Sequence, residues 1–311
     1  MDADGPRASG ALVLRTRLAE QVAELHTRAA QALTGDPEGV HRTRVASRRL
    51  RSALGTFRPL LDRQVTDPLR DELRWLGRAL APARDTEVVR LRLTALLDEE
   101  PAVEASARAD AEARRRLEET LTGQAREAGV EADEALTSAR FTDLVAALDR
   151  LVAEPPFAGK ASSPAEDVLP RLVRRDWKRL RRALAAVPAA GDGAGAGTDE
   201  GAHDAAIHEV RKDAKRLRYA AESLVPLWGD EAESLVVAAK RLTTHLGERQ
   251  DAVTSLQHVR RLADQADAAG ESSAPWGALR AVELRRTADL DAALEELWTE
   301  VSDKRHRRFL G

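Results

Sequence analysis

The sequence contains no cysteine. That excludes disulfides and thiolate metal sites. Aromatic residues make up only 3% of the 311 residues, so any core has to be built from Leu, Val and Ala. No apolar run approaches the roughly 20 residues of a membrane span, and the opening MDADGPRASGALVLRTRL has no apolar signal-peptide region. Both absences lead to the expectation of a soluble, cytoplasmic protein. Val and Ile never alternate with polar residues between turn signals, so strands are not expected. A charge excess is missing as well: 49 Lys and Arg stand against 52 Asp and Glu, a net charge of −3. Whole-protein electrostatics therefore names no anionic partner, and an anion site requires segregated charge. Residues 95–136, with 12 acids against 5 Arg, supply the acidic side of such a segregation.

What the chain does have is Ala, Leu, Arg and Glu, all compatible with helices, and a charged fraction of 32%. The expected fold class is all-α. The 43 Arg against 6 Lys can reflect codon bias, but codon bias does not explain where the arginines fall.

They fall in a repeated stretch. VHRTRVASRRLRSALGTFRPL (Val40 to Leu60) recurs as IHEVRKDAKRLRYAAESLVPL (Ile207 to Leu227) at an offset of 167. His41 matches His208, Arg44 matches Arg211, Arg48 matches Lys215, Arg49 matches Arg216, Arg51 matches Arg218 and Pro59 matches Pro226. His41, Arg44, Arg48 and Arg51 are spaced by 3, 4 and 3 residues, which puts them on one stripe of a helix. His208, Arg211, Lys215 and Arg218 repeat the stripe, while Leu50, Ala53, Leu54 and Phe57 take the opposite side of the first helix and can face a core. Stacked like charges repel by a few tenths of a kcal/mol per pair. A cationic rail with no acid in its own stripe suggests an external polyanion; a solvated helix face is the plain alternative, weakened by the second copy.

The remaining text arranges itself around these copies. A first helix is expected over residues 11–33, a third from Asp67-Pro68 onward, and a fourth from Thr86 to Asp98 after a break at Pro82. Asp85 and Asp251, in ALAPARDTEV and HLGERQDAV, sit where helix N-caps belong, and capping is preferred to catalysis for both. Arg84 beside Asp85 reads as a phosphate donor or a plain ion pair. A charged helix over 102–128 and another over 131–152 lead to EPPFAGKASSP, a linker at 154–164. The second half opens with a basic helix whose Arg174, Lys178 and Arg182 form another one-sided row; Trp177 on it reads as core or rim. AAGDGAGAGTDEGA, residues 189–202, lacks the phosphate-loop pattern and reads as a connection. Lys240 aligns with Arg74 at an offset of 166, so both are candidates for a groove wall. The terminal KRHRRFL either supplements an anion site or is disordered.

The paired VHRTRVASRRLRSAL and IHEVRKDAKRLRYAAE, followed by LAPARDTEV and LGERQDAV, resemble the signatures of the CHAD family, the conserved histidine α-helical domain, across about residues 10–305. The resemblance implies one CHAD domain over 1–311, built as two helical bundles, 10–153 and 165–305, related by a pseudo-twofold axis with a basic groove or channel. It also implies binding of inorganic polyphosphate and association with polyphosphate granules. Carried over by position, the basic motif falls on His41, Arg44, Arg48, Arg49 and Arg51, then on His208, Arg211, Lys215, Arg216 and Arg218, with Lys240 on the second signature. Ala81 replaces the usual Gly and Thr243 a usual Gln. No E-x-E-x-K start and no β-rich segment mark a fused triphosphate-tunnel catalytic domain.

The expectation is therefore a binding protein and not an enzyme, with no cofactor and no metal. Its site joins the ten motif residues to Arg74, Arg84, Arg174, Lys178, Arg182 and Lys240. An RNA or DNA backbone-binding module is the rival; against it, the rails interleave no aromatics, and the one Tyr, Tyr219, lies beside the second rail. A metal- or phosphate-transfer enzyme using His41 and His208 is weaker still, because neither stripe contains a carboxylate and arginines oppose a cation.

Overall fold

Helix signals dominate from one end of the sequence to the other, and the computed structural model, which describes residues 8–34, 36–99, 107–188 and 198–311, realises them as α-helices. They are α1 (Gly10–Leu33), α2 (Pro37–Thr56), α3 (Arg63–Ala79), α4 (Ala81–Glu99), α5 (Ala107–Thr137), α6 (Ala139–Ala153), α7 (Ala165–Ala185), α8 (Thr198–Glu222), α9 (Val225–Ala268) and α10 (Ala274–Val301). Short 3-10 segments follow α2 and α10, at Arg58–Leu60 and Lys304–Leu310. Among the described residues there are no strands, only the isolated bridges Ser9–Pro164 and Leu61–Phe157. No described helix is long and apolar enough to cross a membrane. Gly35, the Glu100-Pro101 boundary and residues 189–197 of the Gly-rich stretch lie outside the described residues.

The caps follow local chemistry. Ser9 accepts from the N–H of Leu12, Asp36 from Glu38 and Ser138 from Phe141, so each starts its helix with a side-chain oxygen on an otherwise unpaired donor. Several expected boundaries move. α3 begins at Arg63, with Asp62 accepting from Gln64 at 2.8 Å, so Asp67-Pro68 lies inside it and Asp67 instead pairs with Arg58 and Arg70. α4 begins at Ala81, which puts Pro82 in a first turn, where its missing N–H costs nothing. Asp85 is consequently inside α4, and Asp251 is inside α9: neither is an N-cap. LGER does not interrupt α9; the helical path departs instead at Gly229, whose φ of 45° needs a residue without a Cβ. Residues 198–202 open α8 and are not a loop.

The helices assemble into two compact units, and each draws on both halves of the sequence. The first contains residues up to Ala79, Asp133–Thr243 and Leu297–Gly311; the second contains Leu80–Ala132 and Thr244–Glu296. In the first unit α1 packs on α2, α7 on α8, and α2 on α3 and α8. Its interior is aliphatic, as the scarcity of aromatics requires: Leu14, Leu18 and Leu25 of α1, Leu50 and Leu54 of α2, and Leu217 of α8 are fully buried. Trp177 is buried too, stacked on Trp298 at 5.4 Å. In the second unit Val89, Leu93 and Leu97 of α4 meet Leu117 and Leu121 of α5, Val259 and Leu262 of α9, and Trp276 and Leu279 of α10. A bidentate pair accompanies this core: Arg92 grips the fully buried Glu283 at 2.5 and 2.6 Å.

One close approach fixes how α2 leaves α1. A Cβ added at Gly39 would fall 2.4 Å from the amide nitrogen of Ala32, far inside any real contact. Alanine in place of a helical glycine ordinarily gains up to about 1 kcal/mol. Gly39→Ala is expected to do the reverse, lowering stability by about 1–3 kcal/mol through overpacking, as measured by urea unfolding.

Candidate anion-binding site

The two copies of the basic motif form α2 and α8, in the first unit, and these helices touch. On α2 the side expected to be apolar is buried: Leu50, Ala53, Leu54 and Phe57 all lie in the core. This leaves His41, Arg44, Arg48 and Arg51 partly exposed on the other side. On α8, Val210, Ala214 and Leu217 are buried while Arg211, Lys215 and Arg218 are partly exposed and His208 is exposed. His41, Arg44, Arg48, His208, Arg211 and Lys215 each have an interaction of their own within the protein.

Arg51 stands apart. It is partly buried, and it feels the positive charges of Arg48 on its own helix and of Arg74, Arg70 and Arg78 on α3. Loss of water, followed by repulsion from these four cations, pushes its guanidinium below the usual arginine value. No acid pairs with Arg51 among the described residues. Two of its neighbours are tied elsewhere: Arg74 to Asp71 at 2.6 Å and Arg70 to Asp67 at 3.2 Å. Arg70, Arg74 and Arg78 are spaced by four residues on one face of α3, a row visible in the sequence of which only Arg74 had been singled out.

The second rail ends differently. Glu222, on α8, receives Arg17 of α1 at 2.9 Å, Arg49 of α2 at 3.3 Å and Arg218 of its own helix at 3.5 Å. Arg218 also donates to the Thr243 hydroxyl at 3.2 Å. Tyr219 is buried beneath two of these cations, with Arg218 4.8 Å and Arg49 5.6 Å from its ring centre. Arg216 meets Asp176 of α7 at 2.8 Å, and Asp176 also accepts from the Thr56 hydroxyl at 2.5 Å. Burial raises the pKa of Asp176, opposed by Arg216, Thr56 and Arg179. Arg49 and Arg216 thus serve the packing of α2, α7 and α8 through the protein's own acids. Glu222 continues the stripe of His208, Arg211, Lys215 and Arg218, so the second rail is not free of acid as expected, while Asp176 reaches Arg216 from α7. The available signal for Glu222 is that it lies four residues after Arg218, where acid and base pair on a helix.

The other predicted positions are dispersed. Arg174, Lys178 and Arg182 are exposed on α7, opposite the buried Leu172, Val173, Asp176 and Trp177. Lys240 is exposed on α9. Arg84 belongs to the second unit and pairs with Glu87 at 2.7 Å. The terminal basic segment is an ordered 3-10 helix, with Arg307 5.0 Å from the ring centre of Trp177. A cavity between α3 and α6, lined by Val65, Leu69, Glu72, Arg140, Leu144 and Leu151 among others, contains no rail residue. Among the described residues no three His, Asp or Glu side chains are grouped as a metal ion would need.

The sequence profile described as CHAD domain matches residues 16–260. Uncharacterized proteins from two strains of Mycobacterium tuberculosis, CDC 1551 / Oshkosh and H37Rv, are each 34% identical over 268 residues, covering 84% of this chain and 48% of their own. The chain thus spans about half the length of the curated relatives it matches. Among solved structures, PptA from Streptomyces chartreusis superposes with a TM-score of 0.77 at 23% identity, over 94% of this chain and 100% of that one. A CHAD domain from the plant Ricinus communis superposes with a TM-score of 0.69 at 24% identity, over 97% and 93%. At such identities the likeness to these structures is one of fold.

Asp176 gives a stability test that is separate from ligand binding. Asp176→Ala removes one partner of a buried pair and strands Arg216 and the Thr56 hydroxyl. The expected loss is about 3 kcal/mol, read from the midpoint of chemical denaturation.

Proposed function

The chain belongs to the CHAD domain family, and we propose that it binds inorganic polyphosphate without transforming it, along the cationic faces of α2, α3 and α8. The observation that carries this reading is Arg51: a partly desolvated guanidinium among four others, with no acid paired to it among the described residues. Such an arrangement is unfavourable in the free protein. It is retained at no loss if an external anion completes it, because a phosphate satisfies several guanidinium forks at once. A linear anion with one charge per repeat suits donors in file along helices better than donors in a pocket. His41 and His208 join the file as donors that strengthen when protonated.

The nucleic-acid alternative is less well supported. Stacking on bases requires accessible aromatic faces, and both Tyr219 and Trp177 are buried against protein groups. Association with polyphosphate granules in the cytoplasm follows from the same proposal, as the place where this ligand is concentrated.

Titration with polyphosphates of graded length tests the reading. Affinity is expected to fall steeply with salt, with a log–log slope of about −0.7 for each phosphate contacted, as for single-stranded polyanions. RNA at equal phosphate concentration is expected to displace polyphosphate poorly; equal competition would favour the backbone-binding module. A contacting phosphate favours the protonated form of an imidazole, so affinity should weaken as pH rises, and His41→Ala with His208→Ala should flatten that profile. Arg51→Met offers a sharper check. Removing the unbalanced charge should leave thermal stability unchanged or raised, while polyphosphate affinity drops about tenfold or more, the loss of roughly one charge-assisted contact.

A further inference from the structure

The two copies share the bases of their rails, but the second carries three acids, Glu209, Asp213 and Glu222, where the first carries none, and Glu222 is the one that continues the rail. At the offset of 167 that aligns Arg49 with Arg216 and Arg51 with Arg218, Glu222 falls opposite Gly55. At the offset of 166 that aligns Arg74 with Lys240, Thr243 falls opposite Gly77. The second copy therefore carries a carboxylate and a hydroxyl where the first carries two glycines. The consequences are visible in space. Glu222 is held by Arg17, Arg49 and Arg218, and Thr243 by Arg218. Arg51, the counterpart of Arg218, has neither partner.

The space beside Gly55 is flanked by cations. A Cβ placed there would stand 3.5 Å from Nη2 of Arg216 and 3.5 Å from Nη2 of Arg70. Each of these guanidiniums is steadied by an acid at another nitrogen: Arg216 at Nε by Asp176, 2.8 Å away, and Arg70 at Nη1 by Asp67, 3.2 Å away. The acids orient the two forks, and both forks turn an Nη2 toward the same side-chain-free position. An arginine held this way loses little freedom on gripping a phosphate.

We infer that Glu222 is a resident counter-anion: it occupies on the second rail the position that a ligand phosphate takes beside Gly55 on the first. This rests on the polyphosphate reading above. Glu222 then limits affinity and sets where the polyanion engages. The ligand docks first beside Arg51, between α2 and α3, and gains the far end of α8 only by displacing a carboxylate already there.

Two opposite substitutions test it in the full chain, by titration with long-chain polyphosphate at two salt concentrations and thermal melting without ligand. Glu222→Gln keeps the shape and removes the charge; affinity should rise about tenfold at low salt, and the salt slope should steepen by about 0.7, the increment of one further phosphate contact. Gly55→Glu should do the reverse. The Cβ fits at ordinary contact distance, the new carboxylate reproduces the spacing of Arg218 and Glu222 with Arg51, and affinity should fall at least tenfold in a protein that melts no lower than its parent. A folded Glu222→Gln that binds no more tightly than the parent overturns the inference, as does a folded Gly55→Glu that binds equally well. Binding by the parent with both variants indistinguishable from it removes this inference alone. No binding by either the parent or Glu222→Gln removes the polyphosphate reading and this inference with it.

Discussion

Guanidinium groups repel one another, yet Arg48, Arg51, Arg70, Arg74 and Arg78 are gathered on α2 and α3 of one unit. The aliphatic side of α2 is what holds them there. Leu50, Leu54 and Phe57 are fully buried, and burying each such side chain is worth about 1.5–3 kcal/mol. Repulsion between partly solvated like charges amounts to a few tenths per pair. The core therefore wins, and it fixes the orientation of the helix. With the orientation fixed, the arginines cannot turn away from each other. The local excess of positive charge is a by-product of apolar packing, and it is what a polyanion would relieve.

The protein's acids give this charge its pattern. Net charge is close to neutral, so every unbalanced cation reflects an acid placed elsewhere. Asp176 and Asp67 each take one edge of an arginine and leave the other edge presented. Glu222 takes three arginines at once. The same residue type thus has two effects. A carboxylate behind a guanidinium orients it, and a carboxylate in front of it would compete with the proposed polyanion.

Much of the architecture was legible in periodicity. α1 and α2 lie close to where apolar spacing put them, because each buries one stripe along its length. Boundaries resting on single punctuating residues were less secure. Pro82 suggested a break and Asp67-Pro68 a helix start, but a proline in a first turn breaks nothing, and α3 starts before Pro68 because Asp62 caps it. Gly229, a lone glycine with no neighbouring proline, is the true interruption of α9. The rails were legible because duplication displays the bases in register. Glu222 was equally legible, one step past Arg218 on the same stripe; Asp176 was not, since it arrives from another helix altogether. Arg84 and the α7 row were chosen for charge alone, and charge does not say which face of which unit a side chain occupies.

The interleaving of the two compact units bears on how the polypeptide is made. The second unit needs Thr244–Glu296 and the first needs Leu297–Gly311, so neither interior is complete while only the first copy of the motif has been synthesised. A nascent chain emerging from the ribosome would leave the apolar side of α4 incompletely covered until Val259, 170 positions after Val89, and the α10 residues beyond it arrive. Contacts of such long sequence separation slow folding and lengthen the window for aggregation. Cutting the gene at the linker would yield two fragments, each holding part of both interiors and the whole of neither.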